Sequence, residues 1–544
     1  MTTFVSGCRW RIAALCVGLL AFSSTQAANK VKIDRESLSA TIDRVVSQVL
    51  KDEDIPASPK ASDGEFLRRA YLDLLGVIPT SAEAKQFLDS ADSDKRARLI
   101  DRLLSDERFG KYQADVWQRR LIKESTNNRR LDRQPLIDWL TKQFNENTPW
   151  NKFVSDLVTA TGEQKKNGAV TFFLGNTTID QLTDNVTRQF LGVQLQCAQC
   201  HDHPFTEWKQ NDYWGMAMFF RKVALDNPNR AKNGGSPGVE EINLVRGRQQ
   251  RWKRTRNTKR VLRLPISAKR VNPRFVQDKE DAKVDSAKPY RPILAKWLTS
   301  ENNPYFAKAM VNRVWYHLFG RGLVNPVDDL QPGVESSHPE IFQSLTKGFV
   351  ESGFDVKELF RTIMNSETYQ RTSKVVSENA DADPELYARM SVKVIPPGPL
   401  YDSIQGILTL GRVENKDPRA AARAKRLKQQ QRRRFGGGPR EQFIDFFKYD
   451  PFSNPKEYTA GIPQALRRMN SREFQRFGLI NSLMQKQKEP AKVIEDLYLT
   501  TLSRRPTEEE QKFLQAQVKK GDARTVYNDI LWALMNCSEF TLNH

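Results

Sequence analysis

Two cysteines and a histidine carry the one sharp chemical signature in this 544-residue chain, the run Cys197-Ala198-Gln199-Cys200-His201, with His203 close behind. Two thiols three positions apart with a histidine next to the second is the spacing of covalent haem c attachment. The chemistry needs that spacing because both thiols add to vinyl groups on one edge of the porphyrin. The adjacent imidazole then turns beneath the ring as proximal iron ligand. Cys197 and Cys200 are therefore the candidate thioether residues and His201 the candidate ligand. Two other chemistries fit the same residues. Cys197, Cys200, His201 and His203 are all suitable donors to zinc, although the second, distant pair of a zinc ribbon is missing. The thiols alone make a local disulfide or a redox-active pair. A sixth iron ligand would come from Met216, Met218, His317 or His338, and His317 reads equally well as a satisfied core histidine. Without one the iron is five-coordinate, and the motif serves an electron carrier and a catalyst alike.

Other reaction classes leave no mark. There is no GxSxG, no HExxH and no glycine-rich phosphate loop, and carboxylate pairs such as Asp328-Asp329 are too ordinary to specify a glycosidase.

Helical spacing is expected to deliver the motif. Leu182, Val186, Phe190 and Val193 form one apolar stripe over residues 179–197, which places Cys197 at or near a helix end. The aromatic residues that follow, Phe205, Trp208, Tyr213, Trp214, Phe219 and Phe220, are expected to supply apolar walls for a haem.

The N-terminus reads as a secretory signal over residues 1–28. Arg9 and Arg11 precede an apolar run from Ile12 to Phe22, and small residues lead to cleavage after Ala27 or Ala28. That run is too short to span a bilayer, and no later segment is long and apolar enough. The expected location is the periplasm or cell envelope. After cleavage only Cys197, Cys200 and Cys537 remain, an odd count that is no disulfide scaffold, and Cys537 reads as a small buried hydrophobe.

The net charge of +21 lies in two places. Arg246 to Arg274 holds twelve Lys or Arg and no acid, and Arg419 to Arg440 holds nine and no acid. Such runs are usually solvated faces. The functional alternative is contact with an anionic envelope surface, an acidic polysaccharide or a partner protein. Export argues against nucleic acid, and a haem protein would need a redox partner.

At 39% hydrophobic residues the chain has ordinary globular composition, and its length calls for more than one domain. The fold class is mainly α: a multi-helical chain of two domains with a short extended or β-containing connector. Residues 29–225 form the first domain, 226–290 a basic connector and 291–544 the second, with a flexible basic insert at 418–440. Helices are expected from Ile33 to Leu50, Glu65 to Leu75, Asp94 to Leu104, Pro135 to Phe144, Trp150 to Thr159, Pro304 to Leu318, Pro339 to Glu351 and Val356 to Thr368. Asn303 supplies the cap of the Pro304 helix. A helical hairpin is duplicated at the two ends of the chain. Tyr71-Leu72 followed by Pro79-Thr80 is echoed by Tyr498-Leu499 followed by Pro506-Thr507, each leading into a capping box.

Two stretches of the first half resemble the planctomycete cytochrome-c-like domain family. They are Phe66-Leu67-Arg68-Arg69-Ala70-Tyr71-Leu72-Asp73-Leu74-Leu75-Gly76 with Pro79-Thr80, and Leu191-Gly192-Val193-Gln194-Leu195-Gln196-Cys197-Ala198-Gln199-Cys200-His201-Asp202-His203-Pro204-Phe205. The second half resembles the planctomycete-specific domain of unknown function that usually follows it. The residues there are Asn303-Pro304, Val311-Asn312-Arg313-Val314-Trp315, Phe319-Gly320-Arg321-Gly322-Leu323-Val324, Ser337-His338-Pro339 and Glu539-Phe540. The motif and the signal together give the leading expectation, an exported envelope protein that binds haem c covalently and works in electron transfer or a linked oxidation. The rival from another class is a non-enzymatic envelope or scaffold protein whose CxxCH is a structural metal or disulfide site.

Overall fold

The computed structural model describes residues 35–122, 131–204, 206–226, 236–242, 260–410, 438–447, 462–470 and 478–544. The expected signal at 1–28, the middle of the basic connector and nearly all of the insert at 418–440 lie outside the described residues.

The chain is mainly helical with small antiparallel sheets, as expected. The hydrophobic periodicity located most helices to within a residue or two, among them Arg35–Asp52, Gln134–Asn145, Trp150–Val158 and Pro339–Glu351. Asn303 accepts from the backbone N–H of Tyr305 and of Phe306 at 3.0 Å each but is not the expected N-cap: the helix runs Phe306–Phe319 with Tyr305 in that place, and Pro304 stays outside. The expected helix from Val356 to Thr368 is two pieces, Val356–Met364 and Glu367–Gln370. Ser366 separates them, its hydroxyl accepting from the Tyr369 amide as a new N-cap.

Strands β1 (Gly162–Glu163), β2 (Val223–Leu225), β3 (Gly238–Glu241) and β4 (Arg260–Val261) form a sheet in the order β1-β3-β2-β4. The extended structure expected of the connector is β3 and β4. Arg291 fastens this sheet to the helices. Its fully buried guanidinium donates to Glu241 at 3.0 Å and to the Val158 and Ala160 carbonyls at 3.1 and 2.9 Å. A second ladder pairs β5 (Lys393–Val394) with β6 (Leu542–Asn543) at the C-terminus.

Buried apolar side chains form two clusters. The larger runs from Ile42 to Met390 and adds Leu499, so it draws on helices from both sides of the connector. The second is built from residues between Ile395 and Phe540, with Leu72 and Ile78 reaching in from the first half.

The two end hairpins repeat each other in detail. Helices Asp63–Leu75 and Pro490–Leu502 both end on a left-handed residue, Gly76 at φ 64° and Ser503 at φ 61°. Helices Ser81–Asp89 and Glu508–Lys520 both begin with a closed capping box. Thr80 and Thr507 each accept from the glutamate amide three residues on at 3.2 Å, and Glu83 and Glu510 return the bond at 2.8 and 2.7 Å. Each tyrosine also carries an arginine over its ring, though from non-equivalent positions: Arg108 of helix Glu107–Leu121 on Tyr71, and Arg504, just past the end of its own helix, on Tyr498.

The helix Asp63–Leu75 is buried along almost its whole length, charged residues included. Burial forces those charges to find partners inside. Arg68 donates to the carbonyls of Thr501 at 2.9 Å and Phe540 at 2.7 Å. Arg69 donates to Glu65 at 2.9 Å and to the carbonyls of Tyr369, Arg371 and His544 at 2.6, 3.0 and 3.1 Å. Asp73 accepts from Lys393 at 2.8 Å, Asn543 at 2.7 Å and the Tyr369 hydroxyl at 2.9 Å. Removing one member of such a buried pair strands the other, at a cost of about 3–5 kcal/mol. Asp73→Ala is accordingly expected to lower the stability of the full chain by about that much in urea denaturation. A loss under about 1 kcal/mol would show that this network is not holding the two halves together.

Candidate functional site

The segment leading to the motif is shorter than a continuous helix. Helix Ile179–Val186 widens into a π-turn over Thr187–Leu191 and stops at Gly192, whose φ is 65°. The expected stripe is right, since Leu182, Val186, Phe190 and Val193 are all buried. The expected helix to Cys197 is not. Gly192 breaks it because its carbonyl turns to accept from the Leu330 amide at 2.8 Å, and a side chain there would meet Leu330 at 2.9 Å. The motif itself forms a separate 3-10 turn, Gln196–Gln199.

That turn sends its residues in opposite directions. Ala198 is fully buried in the larger core, while Cys197 and Cys200 are exposed, unpaired thiols. The backbone between them is fixed from behind. Trp214 Nε1 donates to the Gln199 carbonyl at 3.0 Å, and Gln210 Nε2 donates to the Cys200 carbonyl at 2.9 Å. His201 is exposed, with Nδ1 2.7 Å from the Asp202 carbonyl. A carbonyl only accepts, so Nδ1 carries the proton and Nε2 keeps a lone pair directed away from that contact. The Asp202 carboxylate in turn accepts from the Gln210 amide at 2.8 Å, at the start of helix Gln210–Ala217.

His203 goes elsewhere. It is half-buried, its backbone N–H donates to the Trp208 carbonyl at 2.8 Å, and its ring interacts with Asp329. Burial raises the Asp329 carboxyl and His203 opposes the rise. Among the described residues no three His, Cys, Asp or Glu side chains converge as a metal site, so the four donors expected for zinc are not assembled.

The donor set fits covalent haem: two free, accessible thiols and a histidine with its outer nitrogen available. The expected walls do not. Trp208, Tyr213, Trp214, Phe219 and Phe220 are buried in the larger core, and Phe205 lies outside the described residues. Met216 and Met218 are buried too. The aromatic residues after the motif thus support its backbone rather than line a cleft.

His317 is the satisfied core histidine of the two readings. Its Nε2 is 2.7 Å from the Asp73 carbonyl, and its ring packs on Tyr112 and Phe360. His338 is 2% exposed, meets the Ser337 hydroxyl at 3.1 Å through Nδ1 and has no partner for Nε2 among the described residues.

Residues 41–224 match the family described as PSCyt2, protein of unknown function (DUF1549), and residues 290–518 match PSD1, protein of unknown function (DUF1553). The chain is a PSCyt2–PSD1 tandem protein. A cytochrome-c-like domain is thus followed by a domain of unknown function, the order that the resemblance implied. No curated protein and no solved structure matches the chain. In this PSCyt2 segment the thiols and His201 face outward, and the long-range charged anchors Arg68, Arg69 and Asp73 face the PSD1 segment. Sequence reasoning missed those anchors, because nothing in a helical pattern tells which charged residues will be buried.

Burial pushes the His338 imidazole down to about 4. A depressed folded pKa means the unfolded chain takes the proton first, so stability is complete above about 6.5 and is lost as pH falls towards 4. His338→Phe is expected to flatten that part of the melting-temperature profile between pH 6.5 and 4, and an unchanged slope would place the acid sensitivity elsewhere.

Proposed function

We propose that this is an exported, envelope-located protein that carries a haem c on Cys197 and Cys200, with His201 as proximal ligand, and works in electron transfer or a linked oxidation. The observation that carries the reading is the pairing of two exposed free thiols with a histidine oriented through Nδ1. A PSCyt2 segment around that motif supports it. When bound, the haem supplies one-electron chemistry. The residues of this chain do the holding. The thiols fix one edge, the Asp202 carbonyl sets the His201 tautomer, and Gln210 and Trp214 keep the turn rigid. With the neighbouring aromatic rings committed to the core, the site stays open, which suits exchange with a redox partner docking from outside. The described helices include none long and apolar enough to cross a membrane. The basic segments around 246–274 and 419–440 would meet an anionic envelope surface or polysaccharide.

The burial of those same aromatic rings favours a second reading, a scaffold protein in which CxxCH is a disulfide or a metal staple completed by another molecule. An absorption spectrum with a haem stain on a denaturing gel decides between them. Protein from the envelope of a host with cytochrome c maturation should show a Soret band and a stain lost in the Cys197→Ala, Cys200→Ala double variant. His201→Ala should keep the stain and shift the band. A colourless, unstained protein from that host would overturn the haem reading.

A further inference from the structure

An open groove of about 880 Å³ lies between the start of helix Phe306–Phe319, helix Pro339–Glu351 and the loop at 330–336. That volume falls within the roughly 300–1,000 Å³ of small-ligand clefts. The groove borders the segments around the motif without including it. The Leu330 amide donates to the Gly192 carbonyl at 2.8 Å, and the Tyr305 ring lies 6.3 Å from that of Trp208. Val324, Leu330 and Phe342 are buried and give the groove an apolar floor.

Its polar residues are oriented by the protein behind them. The Tyr305 hydroxyl donates to Gln277 Oε1, which fixes that amide and leaves Nε2 as a donor. Gln331 Nε2 donates to Asp329 at 3.1 Å, which leaves Oε1 as an acceptor. The Thr346 hydroxyl donates to the Phe342 carbonyl at 2.7 Å and keeps its lone pairs. Ser336 accepts from the His338 amide at 3.2 Å and keeps its O–H. Gln343 is exposed on the same wall. Gln277 also holds a left-handed backbone at φ 65°, which residues with a side chain rarely adopt and which is found most often where a site is built.

Charge along the groove cancels. Lys347 pairs with Glu351 at 3.8 Å, and Lys308 is matched by Glu301. An occupant is therefore uncharged overall, donates and accepts hydrogen bonds along its edges, and has C–H faces for the floor. We propose that this groove binds a short neutral oligosaccharide, its hydroxyls bonded to Gln277, Gln331 and Gln343 and its C–H faces resting on Leu330 and Phe342. A lipid tail would leave the amides without partners. A polyanion would meet Glu301 and Glu351 without an excess of cations. An extended peptide pairs best with a strand edge, and these walls are helices and a loop. The inference does not depend on what Cys197 and Cys200 carry.

Isothermal titration of cellotriose, maltotriose and laminaritriose into the full-length protein tests it, with trigalacturonate and acetyl-trialanine amide as charged and peptide comparisons. At least one neutral trisaccharide should bind saturably, one to one, and at least about ten-fold tighter than either comparison. Gln343→Leu removes an exposed amide, and Gln277→Gly removes the other while suiting the left-handed backbone. Each should weaken the binding at least about five-fold, the loss of a hydrogen bond, without lowering the melting temperature by more than about 3 °C. No saturable heat with any of the three sugars would overturn the proposal. So would a comparison ligand binding as tightly, or undiminished binding in both variants.

Discussion

Glu65, Arg68, Arg69 and Asp73 sit on one helix that the protein buries almost completely, and this constraint shapes much of the rest. A charge in that environment must be met by hydrogen bonds or opposite charge within reach. The partners come from far along the chain: residues 369–373, Lys393, Thr501, Phe540 and the last two residues. Burial works against the charge on Glu65, yet Arg69 with the Ser373 amide and Thr372 hydroxyl hold its carboxyl below the ordinary range. The PSCyt2 helix thus determines where the PSD1 segment and the C-terminus can lie. The β5–β6 ladder, which brings Lys393 and Asn543 side by side against Asp73, follows from the same demand.

The motif obeys the opposite logic. Its position depends on aromatic residues turned inward and on one small residue, Ala198, that lets the turn sit flat against the core. Everything reactive is left outside. Covalent attachment to the protein through two thiols does not require a deep pocket, because retention rests on bonds rather than on burial. A haem held on the proposed thiols would trade insulation for access.

Local signals in the sequence are legible where local physics decides. The capping boxes at Thr80 and Thr507 and the apolar stripe through Phe190 are short-range patterns, and each forms. The duplicated hairpin was visible because caps and breakers recur at fixed offsets, down to the left-handed residues Gly76 and Ser503. Long-range pairing was not legible. Gly192 ends its helix through a contact with Leu330, and Arg68 and Arg69 meet carbonyls hundreds of residues away. The aromatic residues after Cys200 have the composition of a haem wall, and only tertiary packing assigns them to the core.

The intact mass of the mature protein, isolated from the envelope of a host that matures c-type cytochromes, bears most directly on this account. One polypeptide heavier by a single haem is expected, with the increment lost when Cys197 and Cys200 are both replaced by Ala. The bare polypeptide mass, or that mass less the two hydrogens of a disulfide, would contradict it.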